Sequence, residues 1–160
     1  MDEKYMKEAL KLAKKAAALG EVPVGAVIVH EGKIIARGYN RRELDQNGLA
    51  HAELTAMQRA CKKLKSWRLE DCTLYVTLEP CPMCTGAIIN TRIPRVVIGA
   101  TDPKGGAMGG VMDLTDYPWN HHPEVEKGVL EQECGDILRV FFKELRAQKK
   151  EKKNEKNTIS

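Results

Sequence analysis

Two short stretches of this 160-residue chain can do chemistry together: His51-Ala52-Glu53 and Pro80-Cys81-Pro82-Met83-Cys84. One imidazole and two thiolates are three ligands of the kind zinc takes, and they leave the fourth tetrahedral position open. An open position lets a metal bind and activate a water. The carboxylate of Glu53, two residues past the histidine, is then the natural proton carrier. A tetrahedral mixed nitrogen and sulfur set favours zinc over softer or redox metals. Two other readings use the same residues. One is a closed zinc site with a distant fourth ligand such as His30, His121 or His122. The other is a redox C-x-x-C pair, which leaves His51 and Glu53 without a role.

The surrounding elements must bring these side chains together. Cysteines three apart at a helix start point the same way from its first turn. Unpaired N–H groups and the helix dipole favour thiolates there, and Pro82 suits a first turn, where its missing N–H costs nothing. His51 opens the preceding helix, expected over about 51–65, with Leu54, Met57, Cys61 and Leu64 facing inward. Strands are predicted at 24–30, 33–38, 73–78 and 95–100, with a short fifth at 125–129. A helix lies between the third and fourth strands, which makes those two parallel. Further helices are expected at 2–19 and 131–146. The predicted class is α/β, a mixed sheet of about five strands between helices. The polar segment 101–122 is long for a connection inside a compact domain, which points to a functional loop. Residues 1–148 read as one domain, and 149–160 as a charged, disordered tail.

Composition sets the frame. Charged residues are 30% and hydrophobic residues 42% of the chain, ordinary for a globular domain. No apolar run approaches the roughly 20 residues of a membrane helix, and the N-terminus lacks the apolar stretch of a signal peptide. The expectation is a cytoplasmic protein with no membrane partner. Five cysteines are an odd number and fit a reducing compartment. Cys61, Cys72 and Cys134 read as small buried hydrophobes. The net charge of +4 is compatible with a nucleic-acid partner without requiring one. The glycines of KGGAMGGV do not make a phosphate loop, because no G-K-[ST] follows. Trp67 reads as a packing or dimer-contact residue, with base stacking the alternative. From the residues alone, Asn40 reads as an Asx-turn at a strand end.

H-x-E with P-C-x-x-C is the signature of the zinc nucleobase deaminases, the cytidine and deoxycytidylate deaminase superfamily. The flanking stretches are more specific. GEVPVGAVIV, SWRLEDCTLYVTLEPC, RIPRVVIGATDPKGGA, Met112-Asp113-Leu114 and Asn120-His121 closely resemble the bacterial tRNA-specific adenosine deaminases, from about residue 5 to 149. The resemblance implies a cytidine-deaminase-like three-layer α/β/α fold, one catalytic zinc per subunit and a homodimer. It implies hydrolytic conversion of adenosine to inosine at the wobble position of a tRNA anticodon stem-loop.

Carried over by position, His51, Cys81 and Cys84 are the ligands. Glu53 is the proton shuttle, and the backbone N–H of Cys81 serves the transition state. Asn40 hydrogen-bonds the flipped adenine, with Val27, Ile28 and neighbouring apolar residues walling the pocket. Asp102, Lys104, Asn120 and His121 fall where the family contacts RNA. The lysine suits phosphate; the asparagine and histidine suit sugar and base edges. Three departures stand out. P-C-P-M-C is also the form typical of guanine deaminases, so a free guanine or nucleoside deaminase is the alternative. His122 stands where an arginine is expected, and the lysine-rich tail runs past the family's usual end. A non-enzymatic zinc-stabilised binding module is a third reading, under which Glu53→Ala changes nothing.

Overall fold

Helical spacing puts Tyr5, Met6, Ala9, Leu10, Ala13 and Ala16 on one buried stripe of the first helix, with its lysines outward. The computed structural model describes residues 1–159, the last of them by its backbone alone. Its elements in order are α1 (Asp2–Ala18), β1 (Gly25–His30), β2 (Lys33–Tyr39), α2 (Ala52–Leu64), β3 (Cys72–Leu78), α3 (Pro82–Asn90), β4 (Arg95–Ala100), β5 (Glu124–Lys127) and α4 (Glu131–Ile159). The sheet order is β2-β1-β3-β4-β5. β1 is antiparallel to β2 and β3, whereas β3, β4 and β5 run parallel. The expected α/β class and mixed five-stranded sheet are both present.

Alternation along the central strands creates the layers. Ala26, Ile28, Leu74, Val76, Val96 and Ile98 face a core shared with α2 and α3. Val27, Val29, Tyr75 and Val97 face the opposite core, shared with α1 and with Cys134 and Ile137 of α4. Because both faces are covered, these strands read as continuous apolar runs. Gly38 of β2 brings α2 close: a Cβ there would stand 2.3 Å from the carbonyl oxygen of Ala52. Its absence seats the first turn of α2, and with it His51 and Glu53, directly on the sheet.

The 101–122 segment has structure of its own. It holds a 3-10 turn at Leu114–Asp116 and packs against α3. Past residue 148, where the sequence suggests a disordered tail, the described chain is helical: α4 continues to Ile159. No Gly or Pro follows Gly135, and the run is dominated by Lys, Glu and Gln, which favour helix. Its last turns are exposed on all sides. No helix among the described residues is long and apolar enough to cross a membrane.

The N-terminus is tied to the sheet by charge. Asp2 accepts two hydrogen bonds from Arg95 (3.0 and 2.7 Å) and one from the Tyr75 hydroxyl (2.8 Å). Arg95 also pairs with Glu126. The Arg95 guanidinium is the main reason the Asp2 carboxyl is held down at about 2. A carboxyl lowered on folding adds stability above its unfolded value, near 3.8, and that stability fades as pH falls towards 2. Asp2→Asn is therefore expected to lower the melting temperature at neutral pH and to flatten its fall between pH 4 and pH 2. Parallel melting curves across that range check this; identical slopes would contradict it.

Candidate active site

The site lies at the carboxyl ends of β3 and β4, where parallel strands leave a crevice. β3 runs straight into Glu79-Pro80-Cys81, and Cys81 is the N-cap of α3, with Pro82 in the first turn. His51 is the N-cap of α2. Two helix N-termini thus converge, as the spacing predicts, and their positive ends favour thiolate and carboxylate. Nδ1 of His51 is 3.7 Å from Cys81 Sγ and 3.5 Å from Cys84 Sγ. Zinc ligands at about 2.3 Å (sulfur) and 2.0–2.1 Å (nitrogen), set at the tetrahedral angle, stand about 3.6 Å apart. The three donors all lie within 4.8 Å of one another, so the group can hold a metal.

Electrostatics agree with such a centre. Hydrogen bonding from Cys84, and then from His51, brings the Cys81 thiol down to about 4. Cys84 is pushed up, first by its hydrogen bond to Cys81, then by burial and by the charge of Glu53. His51 is raised by its hydrogen bond to Cys81. Burial drives Glu53 up to about 7.

Beside the donors is a small cavity of about 140 Å³. His51, Glu53 and Cys81 form one wall, and Asn40, Val24 and Asp102 contribute others. Asn40 is 8% exposed. Its Nδ2 donates to the Val22 carbonyl at 3.2 Å, and its Oδ1 accepts from the Arg42 N–H at 3.2 Å. The Asx-turn and the cavity-lining role therefore coexist. One amide hydrogen and one lone pair remain for a ligand.

A larger cleft of about 710 Å³ adjoins the cavity and shares Val22, Arg42, Leu78 and Asp102 with it. Lys104, Arg139, Phe142 and Arg146 also line it, so it is basic and carries one aromatic ring.

Other expected site residues are placed elsewhere. Val27 and Ile28 are fully buried in the two cores, and Val22 and Val24, just before β1, wall the cavity in their stead. His121 and its exposed neighbour Asn120 lie at the opposite end of the sheet. The His121 ring is 2.6 Å from the carbonyl of Ile93, ahead of β4, and the chain then enters β5 opposite Arg95. The six residues of β4, at ~3.3 Å each, separate that point from the cavity.

His30 is beside Cys72 (3.9 Å), and His122 contacts the Thr115 carbonyl (2.9 Å). Neither stands with the three donors. Cys72 and Cys134 are buried thiols pushed up by desolvation, to about 11 and about 12. Trp67 is exposed, with the guanidinium of Arg68 at 4.7 Å.

The whole domain matches known proteins. Residues 1–146 match the MafB19-like deaminase family. The chain is 58% identical over 150 residues to the tRNA-specific adenosine deaminase of Bacillus subtilis (strain 168), covering 93% of each chain. The chain belongs to the tRNA-specific adenosine deaminase family.

Among solved structures, a tRNA:A34 deaminase described for A-to-I editing at the wobble position aligns with this family member at TM-score 0.80. The two are 44% identical, over 84% of this chain and 99% of that one. Guanine deaminase from Bacillus subtilis aligns less well, at TM-score 0.60 and 37% identity, over 81% of this chain and 87% of that one. The P-C-P-M-C form of the turn before α3 thus does not carry this family member to the guanine branch.

Proposed function

We propose that this protein is a zinc-dependent hydrolase that converts adenosine to inosine at the wobble position of a tRNA anticodon loop, acting in the cytoplasm. The observation that carries this reading is a group of three metal donors, two of them lining with a buried carboxylate a cavity sized for a single base. Family membership supports the RNA substrate over free guanine.

Zinc held by His51, Cys81 and Cys84 would supply Lewis-acid activation of water. Glu53, in the first turn of α2 and 4% exposed, takes a proton from the attacking water and gives it to the ring nitrogen, then takes a second from the added hydroxyl and gives it to the departing amino group, which leaves as ammonia. Asn40 orients the base through its two remaining hydrogen-bonding positions. Cys81, at the N-cap of α3, offers its backbone N–H to the developing charge.

A base stacked in a duplex cannot enter so small a cavity. The substrate is therefore an adenosine splayed out of a loop. Editing should be abolished when the same adenosine is placed in a perfect duplex, as inosine sequencing reads directly; equal editing of duplex and loop would contradict the cavity's role.

The basic cleft beside the cavity provides the path for the backbone, with Lys104, Arg139 and Arg146 on phosphates and Asp102 at the border. Replacing Arg139 and Arg146 together by Ala should weaken RNA binding. It should also reduce the slope of log affinity against log salt by up to about 0.7 per lost phosphate contact. An unchanged slope would place the RNA elsewhere.

Asn120 and His121 stand away from this cavity, so they reach the RNA only from a second subunit or from a stem extending past α3. This accords with a homodimer of one zinc per subunit. Sedimentation at twice the 17.9 kDa chain mass is the expected result; a 17.9 kDa species at micromolar concentration would contradict it.

A further inference from the structure

One buried acid borders the cavity and has no part in the chemistry above. Glu79 is 2% exposed and sits between β3 and the ligand turn. Its Oε1 accepts the backbone N–H of Asp102 at 3.0 Å. Its Oε2 accepts those of Met108 and Gly110 at 2.9 and 2.8 Å. The chain from 102 to 110 is thus wound around a single carboxylate.

Glycine makes the winding possible. A Cβ on Gly106 would stand 2.1 Å from Oε2 of Glu79, and one on Gly110 would stand 2.9 Å from Oε1. Ala107 N–H donates to the Pro80 carbonyl at 2.9 Å, which ties the same loop to the ligand turn. Asp102 in turn accepts the N–H groups of Lys104 and Gly105 at 3.0 and 3.1 Å. Hydrogen bonds therefore run unbroken from the metal donors' turn to the two residues proposed to meet RNA.

We propose that Glu79 is a positioning residue for the RNA substrate, its carboxylate setting Asp102 between the cavity and the adjoining cleft, and Lys104 within that cleft, by holding the backbone of their loop. The inference rests on the reading of an RNA substrate. Acceptor-only character at both oxygens is essential, because three N–H groups converge on them.

Glu79→Gln tests this in the full-length protein. Glutamine has one acceptor oxygen, and its NH2 group must face at least one of the three donors. The Met108 and Gly110 bonds can survive that exchange, but the Asp102 bond cannot survive with them.

With an anticodon stem-loop RNA as substrate, KM should rise about tenfold, as loss of a charged hydrogen bond predicts, while kcat falls much less. Metal content should stay at the parent level, and hydrogen exchange of the Asp102 amide should accelerate. KM and Asp102 exchange both unchanged would overturn the proposal, and so would a fall in kcat at constant KM. Should Glu79→Gln fail to fold, Glu79→Asp carries the same test. It keeps the charge but draws it back by one methylene, so a higher KM supports the proposal and an unchanged KM overturns it. Failure of the parent protein to edit the RNA would instead overturn the RNA reading, while amide exchange still reports on Glu79.

Discussion

Glu53→Gln should remove turnover, by at least about 10²-fold, and leave the metal in place. Glutamine matches glutamate in shape but cannot take up and return a proton at neutral pH. Glu53 is outside the donor group, so the metal content of the variant should equal that of the parent. The fold should hold as well. Glu53 is 4% exposed, and glutamine fills the same buried volume. The melting temperature is therefore expected to stay level. Metal analysis, thermal melting and inosine formation on the same preparation give the three readings. Turnover at the parent rate would remove Glu53 from the mechanism and favour a binding module stabilised by zinc.

Stripping the metal should abolish activity and lower stability together. The three donors come from two helix N-termini that are far apart in sequence, so a bound ion cross-links α2 to α3. An ion present at about 1,000 times its dissociation constant adds about 4 kcal/mol to stability. For a domain of this size that is a shift of roughly 8–16 °C in melting temperature. Chelation should produce that fall, and added zinc should restore both melting temperature and turnover. Cys84→Ala removes a fully buried donor and should mimic chelation without rescue by zinc. Full activity in a metal-free preparation would contradict the assignment of the centre.

The strands, the parallel pairing of β3 with β4, and the metal group were legible because each rests on a short-range signal. Apolar runs of six or seven residues with turns between them define strands, and a helix between two strands dictates their direction. H-x-E and C-x-x-C carry their geometry within one helical turn each.

Longer-range placement was not legible. Val27 and Ile28 are apolar like their neighbours in a strand covered on both faces, so nothing local says which of them meets a cavity. The wall comes instead from Val22 and Val24, ahead of the strand. Asn120 and His121 ended at the far end of the sheet because β5 runs parallel to β4, which obliges the 101–122 loop to travel back along α3.

Glu79 and Glu21 had a faint signal at most. Each is an acid in apolar surroundings next to a proline or a valine. Glu21 is 1% exposed and accepts the N–H groups of Glu43 and Leu44, fastening the loop beside Arg42. Only three-dimensional placement reveals such a role. The helix after residue 148 was missed because a polar run looks alike whether solvated as coil or as helix.

The substrate can be tested directly in one experiment. An anticodon stem-loop RNA with adenosine at the wobble position is incubated with the protein, and free guanine is run beside it under the same conditions. Inosine in the RNA and no ammonia from guanine is the expected result. Ammonia from guanine with the RNA unchanged would contradict it, moving the protein to purine salvage while leaving the metal donors and Glu53 in their roles.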